Sequence, residues 1–158
     1  MDIRKKAQID NDKCTQCGNC VYACPFGAIV DKSFVLDALR LLKKSEGGKN
    51  YRVYAAIAPS IASQFNYARI GQVVSGIKSI GFQDVVEVAL GADMVALKEA
   101  GELAEKGFLT SSCCPAFVRY LKKNFPALAE KVSSNVSPMV EVARLIKRTD
   151  PGARVIFV

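Results

Sequence analysis

The chain of 158 residues carries a formal net charge of +7, half of its residues are hydrophobic, and it contains no histidine. This length suits one ordinary domain, or a small cofactor module joined to part of a larger domain. The absence of histidine excludes Ser-His-Asp triads, Cys-His nucleophiles and histidine-based zinc sites. No stretch approaches the roughly 18 consecutive apolar residues of a membrane helix, and no apolar segment follows the charged N-terminus as in a signal peptide. We therefore expect a cytoplasmic protein without membrane contact.

The basic charge raises the question of a nucleic-acid partner. The lysines and arginines are dispersed, however, and many lie on the water-facing side of predicted helices, as do Arg40, Lys43 and Lys44. Thiolate ligands of bound clusters would also add negative charge. We expect no nucleic-acid partner, and an acidic electron-transfer partner makes better use of a basic surface.

Two regions of the chain differ in pattern. Residues 1–45 contain four of the six cysteines and end in a predicted amphipathic helix over residues 33–44, and a turn-rich linker follows at Ser45–Asn50. From Tyr51 onward the pattern predicts strands at 51–58, 84–89, 108–110 and 154–158, alternating with helices at 68–80, 92–106, 115–124 and 138–148. Strands separated by helices favour a parallel α/β sheet. Because the chain stops on an apolar strand typical of a sheet centre, we expect this domain, residues 51–158, to be incomplete.

Four cysteines precede a proline with the spacing C-x2-C-x2-C-x3-C-P: Cys14, Cys17, Cys20, Cys24 and Pro25. This is the spacing of bacterial ferredoxins, in which thiolates ligate the irons of a 4Fe–4S cube. Gly18 lets the backbone approach the sulfides closely. A zinc site would favour two separated pairs, and disulfides are rare in cytosolic proteins. The sequence therefore predicts a small ferredoxin-like 4Fe–4S module at residues 1–45.

The fourth cysteine of this motif has a further implication. In two-cluster ferredoxins, the cysteine before the proline ligates the other cluster. This sequence has no second such motif, so Cys24 lacks its cluster and the first cluster lacks a fourth ligand. We expect a partner motif upstream of Met1. The alternative is an incomplete or labile cluster.

Cys113 and Cys114 are adjacent, at the end of a predicted strand and just before a helix that begins at Pro115, a position that favours proline. Both thiols therefore lie near a helix N-terminus, where the positive end of the helix dipole favours the thiolate. Two buried structural thiols would give the same pattern. The residues alone leave both interpretations open.

The segment around this pair, Thr-Ser-Ser-Cys-Cys-Pro-Ala-Phe at residues 110–117, resembles the first signature motif of FeFe (iron-only) hydrogenases. Three other segments are similar to that family: Ala58-Pro59-Ser60, Gly91-Ala92-Asp93-Met94 and Ser137-Pro138-Met139. The ferredoxin motif also precedes the cysteine pair at the distance found in the family. The resemblance covers essentially all 158 residues.

The resemblance implies roles for the residues of these segments. In the family, the second cysteine of the pair ligates the 4Fe–4S part of the H-cluster, which makes Cys114 the ligand. The first cysteine relays protons beside the diiron subcluster, which makes Cys113 the relay. Pro59 and Ser60 fall on the loop that borders the diiron site, and the serine position hydrogen-bonds a cyanide ligand of that unit.

The family's proton path implies four residues in this chain: Glu102, Ser133, Glu99 and Cys113. The spacing of the two glutamates puts them on one helix face. Without the resemblance, both would be interpreted as part of a solvated helix face. Lys106, one turn further, either marks the entrance of the path or is an ordinary surface residue.

This sequence departs from the family in places. It has one serine more than usual at Ser111-Ser112, and Phe117 and Met139 stand where tryptophan and glutamine are common. These changes suggest a divergent subgroup. The family's other three H-cluster cysteines lie in two later motifs that this sequence lacks.

The resemblance thus implies reversible oxidation of H2 to protons by a complete protein that holds the H-cluster and exchanges electrons with ferredoxin or another redox partner. We expect these 158 residues alone to be inactive. The alternatives are a hydrogen-sensing regulatory paralogue and a simple ferredoxin-like electron-transfer protein. A third is the related family of iron–sulfur assembly factors, which keep the cysteines but lose the proton path; Glu99, Glu102 and Ser133 argue against it.

Overall fold

The computed structural model of the chain describes residues 8–158. Its strands are β1 (Val53–Ile57), β2 (Asp84–Glu87) and β3 (Arg154–Phe157). Its α-helices are α1 (Asn19–Ala23), α2 (Val35–Ser45), α3 (Ile61–Gln64), α4 (Ile70–Ser79), α5 (Val88–Lys106), α6 (Pro115–Asn124) and α7 (Pro138–Thr149), with a short 3₁₀ helix at Pro126–Lys131. Within this part of the chain, none of the helices combines the length and the apolar character needed to cross a membrane.

The three strands form one parallel sheet in the order β2-β1-β3. In its register Tyr54 lies opposite Asp84 on one side and Val155 on the other. Helices connect consecutive strands, as parallel pairing requires. The predicted α/β class, with a parallel sheet, is therefore confirmed.

The central strand β1 is buried on both faces of the sheet, which explains its continuous apolar sequence. Ala56 packs on one side with Val142 and Ile146 of α7, and Val88 and Ala153 complete that cluster. Ala55 and Ile57 face the opposite side, where they pack with Ile61, and the apolar side of α4 covers them. The alternation of side chains along a strand divides these residues between two core layers.

The observed elements differ from the predicted ones in several details. Phe108–Thr110 does not form a strand, because it makes only one parallel bridge, from Thr110 to Val132, and Phe108 stays exposed. The strand predicted to run to residue 89 ends at Glu87, and the helix predicted from Ala92 begins at Val88. Among residues 8–158, β3 lies at the edge of the sheet and not at its centre. The short helices α1 and α3 and the 3₁₀ helix were not predicted.

Helices α5 and α7 approach each other closely at Gly91, within the Gly-Ala-Asp-Met segment. A Cβ atom on Gly91 would overlap the carbonyl oxygen of Pro138 and lie 2.7 Å from Cγ2 of Val142. Further along the same helix pair, Lys98 Nζ lies 2.7 Å from Oε1 of Glu141, whose side chain is 2% exposed. The absence of a side chain at Gly91 therefore sets the distance between the two helices.

We expect Gly91→Ala to destabilise the chain by about 1–3 kcal/mol, because the helices must move apart to admit the methyl group. Gly101→Ala is the matched control on the same helix, where an added Cβ would meet nothing within 4 Å. That change should be neutral or stabilise by up to about 1 kcal/mol, since alanine favours helix more than glycine does. Urea denaturation of both variants checks the prediction, and equal effects would contradict it.

Candidate functional site

The four cysteines of the first motif lie on an exposed loop and the short helix α1. Gly18 precedes α1 with a φ of 78°, a left-handed conformation that glycine adopts without strain. The sulfur of Cys14 accepts a hydrogen bond from the backbone N–H of Gln16 at 3.3 Å. The backbone N–H of Asn19 lowers the pKa of Cys17, and the Thr15 hydroxyl adds to this effect.

Cys24 lies in a similar environment at the end of α1. The backbone N–H of Phe26, followed by those of Ile29 and Ala28, lowers the pKa of this thiol. Hydrogen bonds from backbone N–H groups to thiolate sulfurs also tune iron–sulfur clusters. The thiols and their donors therefore fit a 4Fe–4S cluster, although within residues 8–158 no three Cys, His, Asp or Glu side chains are already gathered as a metal site.

Lys123, near the end of α6, connects this loop to the rest of the chain. Its Nζ donates to the carbonyl oxygen of Asp12, and to that of Cys14 at 3.2 Å. The carbonyl oxygens of a loop have no fixed partner unless another element supplies one. Lys123 therefore holds the beginning of the cysteine loop against α6.

We expect Lys123→Ala to release this loop and to increase amide hydrogen exchange at residues 10–17 several-fold. The reason is that, within residues 8–158, only the Lys123 side chain donates hydrogen bonds to these two backbone carbonyls from a distant part of the sequence. Lys122→Ala is the matched control, since Lys122 is the exposed neighbour on the same helix. Exchange that rises equally in both variants, or in neither, would contradict this role.

The cysteine pair lies where the sequence placed it, at the start of α6. Cys114 is the N-cap residue of the helix and Pro115 its first residue. Both thiols are exposed in residues 8–158. The interpretation as two buried structural thiols is therefore wrong.

A cavity of about 350 Å³ adjoins Cys113. Its lining includes a residue from each of the four segments that resemble the hydrogenases: Pro59, Ala92, Cys113 and Met139. Val88, Pro115, Ser137, Pro138 and Phe157 complete the lining. Segments far apart in the sequence thus converge on one largely apolar space that contains a thiol.

Two residues that the resemblance places at the H-cluster, Ser60 and Cys114, do not line this cavity. Ser60 is exposed at the start of α3, where its carbonyl oxygen accepts hydrogen bonds from Ser63. Cys114 caps α6 beside the cavity but is not part of its lining. Their predicted roles therefore stay predictions.

Glu102 is the most heavily hydrogen-bonded side chain of the predicted proton path. Lys106 Nζ donates to Oε1 at 2.6 Å, and the Ser133 hydroxyl donates to Oε2 at 3.0 Å. Ser134 donates from both its backbone N–H and its hydroxyl, each at 3.0 Å from Oε1. The Asn135 amide donates to Oε2 at 2.8 Å. The structure thus joins two residues of the predicted path, Glu102 and Ser133, and gives Lys106 a direct contact with it.

These donors keep Glu102 ionised. The Lys106 ammonium, followed by the Ser134 backbone N–H, lowers the pKa of Glu102 from 4.5 to about 2. Because the folded-state pKa lies below the ordinary value, this carboxylate contributes stability above about pH 4.5 that is lost as the pH falls toward 2.

We expect the stability of the unmodified chain to fall more steeply over this pH range than that of Glu102→Gln, which has no carboxylate to protonate. Glu105→Gln, at an exposed position of the same helix, should follow the unmodified chain. Thermal denaturation midpoints measured at several pH values check this prediction. Parallel curves for Glu102→Gln and the unmodified chain would contradict it.

The rest of the predicted path is not joined by hydrogen bonds. Oε1 of Glu99 is buried and has no partner among the described residues. No side-chain hydrogen bond within residues 8–158 links Glu99 to Cys113. Sequence reasoning also missed Ser134 and Asn135, which contact Glu102 from more than thirty residues away. A polar Ser-Ser-Asn run after an apolar residue was their only signal.

Comparison with known proteins matches two families to this sequence. The family described as "Iron only hydrogenase large subunit, C-terminal domain" matches residues 51–158. The family described as "4Fe-4S binding domain" matches residues 7–30. The prediction of a 4Fe–4S cofactor is thus confirmed, and the H-cluster is the cofactor of the hydrogenase family.

Two curated relatives are hydrogenases. The NADP-reducing hydrogenase subunit HndD of Solidesulfovibrio fructosivorans is 24% identical over 141 residues, which cover 79% of this chain and 24% of the relative. Iron hydrogenase 1 of Clostridium pasteurianum is 29% identical over 196 aligned positions, which cover 87% of this chain and 33% of the relative. The chain therefore spans about a quarter to a third of the length of these relatives.

A third relative has a different function. The cytosolic Fe-S cluster assembly factor NAR1 of Candida dubliniensis is 33% identical over 75 residues, which cover 45% of this chain and 13% of the relative. The match over residues 51–158 spans more than half of the chain and includes the cavity and the Glu102 contacts. The chain therefore belongs to the iron-only hydrogenase large subunit family.

Proposed function

We propose that this chain is part of an FeFe hydrogenase that interconverts H2 with protons and electrons. The observation that carries the proposal is the cavity beside Cys113, which draws one residue from each of the four segments similar to the family.

The cysteines of the chain divide into two groups under this proposal. Cys14, Cys17, Cys20 and Cys24 would hold 4Fe–4S clusters that pass electrons, and their N–H donors favour the thiolate form. Cys114 would ligate the 4Fe–4S part of the H-cluster, and Pro59 and Ser60 would border its diiron part. When bound, the H-cluster supplies the metal chemistry of proton reduction and hydrogen oxidation.

The chain's own residues supply a route for protons. Lys106 and Glu102 lie at the outer end of this route, and Ser133 follows at hydrogen-bonding distance from Glu102. The buried oxygen of Glu99 is an acceptor with no competing partner among residues 8–158. Cys113 completes the route at the cavity. Carboxylates, hydroxyls and thiols within reach of one another can transfer protons without histidine.

The redox partner is proposed to be ferredoxin or another acidic electron carrier in the cytoplasm. The chain carries a net charge of +7, and its basic residues on α2, such as Arg40, Lys43 and Lys44, are exposed. A basic surface raises the rate at which an acidic partner associates. Association that weakens steeply with salt would support this assignment.

The proposal is tested on the native polypeptide. An antibody against this chain gives its mass in a lysate of the source cell, and the same polypeptide is then assayed for H2 uptake with an artificial electron acceptor. A mass well above 17.1 kDa together with uptake is the expected result. A mass equal to that of this chain, or no uptake by the iron-loaded polypeptide, would overturn the proposal.

The second candidate function is iron–sulfur cluster assembly, favoured by the similarity to NAR1 over 75 residues. A second NAR1 protein, from Scheffersomyces stipitis, is 24% identical over 156 residues. An assembly factor needs the cysteines but not the connected pair Glu102 and Ser133. Transfer of a cluster from the loaded chain to an apo-acceptor protein, without any H2 chemistry, would establish this function instead.

A further inference from the structure

Asn135 connects three parts of the candidate site. Its backbone N–H and its side-chain amide donate to Oγ of Ser133 at 3.1 and 3.2 Å. The same amide donates to Oε2 of Glu102 at 2.8 Å. Its carbonyl oxygen accepts a hydrogen bond from the hydroxyl of Ser112 at 2.7 Å, beside Cys113. One residue thus links the loop of the cysteine pair to the carboxylate on α5.

The hydrogen-bonding capacity of Ser133 is used up by these contacts. A serine hydroxyl has one hydrogen to donate and two lone pairs that accept. The hydrogen goes to Oε2 of Glu102, since an ionised carboxylate cannot donate. The two lone pairs face the two donors of Asn135. Ser133 is 6% exposed, so water does not compete for these positions.

This saturation has a consequence for proton transfer. A hydroxyl passes a proton along a chain by accepting one on a lone pair while it releases its own. We propose that Asn135 is a positioning residue that fixes the Ser133 hydroxyl toward Glu102, so that a proton passes Ser133 only after a hydrogen bond from Asn135 breaks. This inference rests on the proposed proton route. We call the hydrogen bond from the Asn135 amide to Ser133 the gate, because it controls whether Ser133 can accept a proton.

The gate separates Glu102 from the interior of the site. With the bond intact, Glu102 exchanges protons with solvent through Lys106, while Ser133 accepts none. When the Asn135 amide turns away, one lone pair of Ser133 becomes free, and its hydrogen can turn toward another acceptor.

The test measures exchange of the Ser133 hydroxyl proton with water by NMR, in the 158-residue chain without clusters. Asn135→Ala is expected to speed this exchange roughly tenfold, the effect of losing one buried hydrogen bond. Ser134→Ala is the matched control: it removes one donor from the same carboxylate, the Ser134 hydroxyl, keeps the backbone N–H, and takes no donor from Ser133. Both variants should raise the pKa of Glu102, followed by carboxyl carbon shifts, and only the first should speed the hydroxyl exchange.

Unchanged exchange in Asn135→Ala, or equal acceleration in Ser134→Ala, would overturn the gate. Should Asn135→Ala not fold, Asn135→Ser replaces it, because a serine side chain is too short to reach Ser133 and Glu102 together. The measurement needs no H-cluster, so it decides the gate whether or not the native protein handles hydrogen. Failure of the hydrogenase proposal and failure of the gate are therefore separate results.

Discussion

Replacing Cys113 with alanine is expected to abolish hydrogen turnover in the cluster-loaded native protein while leaving its iron content unchanged. Cys113 is the lining residue of the 350 Å³ cavity that carries an exchangeable proton on a thiol. Alanine keeps the backbone and most of the volume but offers neither a donor nor an acceptor. Loss of a proton-transfer group costs about 10²–10⁴-fold in rate.

The measurement is H2 uptake and evolution with the variant and the unmodified protein at equal iron content. The absorption spectra of the clusters serve as the control, because they should coincide. Normal turnover in Cys113→Ala would refute the relay role of this thiol. Loss of iron together with turnover would instead make Cys113 a ligand.

The second large effect is expected at Cys17. Cys17→Ala should leave the first motif unable to hold its 4Fe–4S cluster, because one iron loses its thiolate. The backbone N–H of Asn19 and the Thr15 hydroxyl, which lower the pKa of this thiol, favour the form that binds metal. Cluster reconstitution under anaerobic conditions, followed by iron and sulfide analysis, measures the loss.

Cys113→Ala is the matched control for Cys17→Ala, since it also removes one thiol from the chain of six cysteines but none from the first motif. This control should retain the cluster of the first motif. Equal iron content in the two variants would show that Cys17 is not a ligand.

The elements with strong local signals could be predicted from the sequence. The helix predicted at 115–124 is observed with the same bounds, because Pro115 suits a helix start and the chain carries an amphipathic pattern behind it. The apolar run at 51–58 likewise predicted a strand, which is observed at Val53–Ile57. The spacing of the four cysteines was sufficient to predict the cofactor.

Tertiary contacts determine where some strands end and whether others form, and the local sequence pattern does not reveal these contacts. The apolar sequence continues past Glu87, yet the strand ends there because Glu87 pairs with Ile57, the last residue of β1. Phe108–Thr110 has strand-like residues, but within the described chain only Val132 pairs with it. A strand needs a partner strand, which a short apolar run cannot reveal.

The candidate site shows the same division. The resemblance pointed to Glu102 and Ser133, and in the structure Oγ of Ser133 lies 3.0 Å from Oε2 of Glu102. Asn135 could not be predicted, because its amide meets Glu102 across 33 positions of sequence. The resemblance covered the residues shared with the family, whereas the contacts of Asn135 depend on how the loop after the 3₁₀ helix packs on α5.

Cys114 is the N-cap of helix α6, and near the end of that helix Lys123 holds the cysteine loop through two backbone carbonyls. At 1.5 Å per residue, about 14 Å of helix separates these two positions. Electron tunnelling slows exponentially with distance, and a helix cannot stretch or shorten without breaking its backbone hydrogen bonds. The length of α6 therefore contributes to the distance between Cys114 and the first cysteine motif. Under the proposed function, one inserted or deleted residue in α6 would alter the rate of electron transfer while leaving every proposed cluster ligand in place.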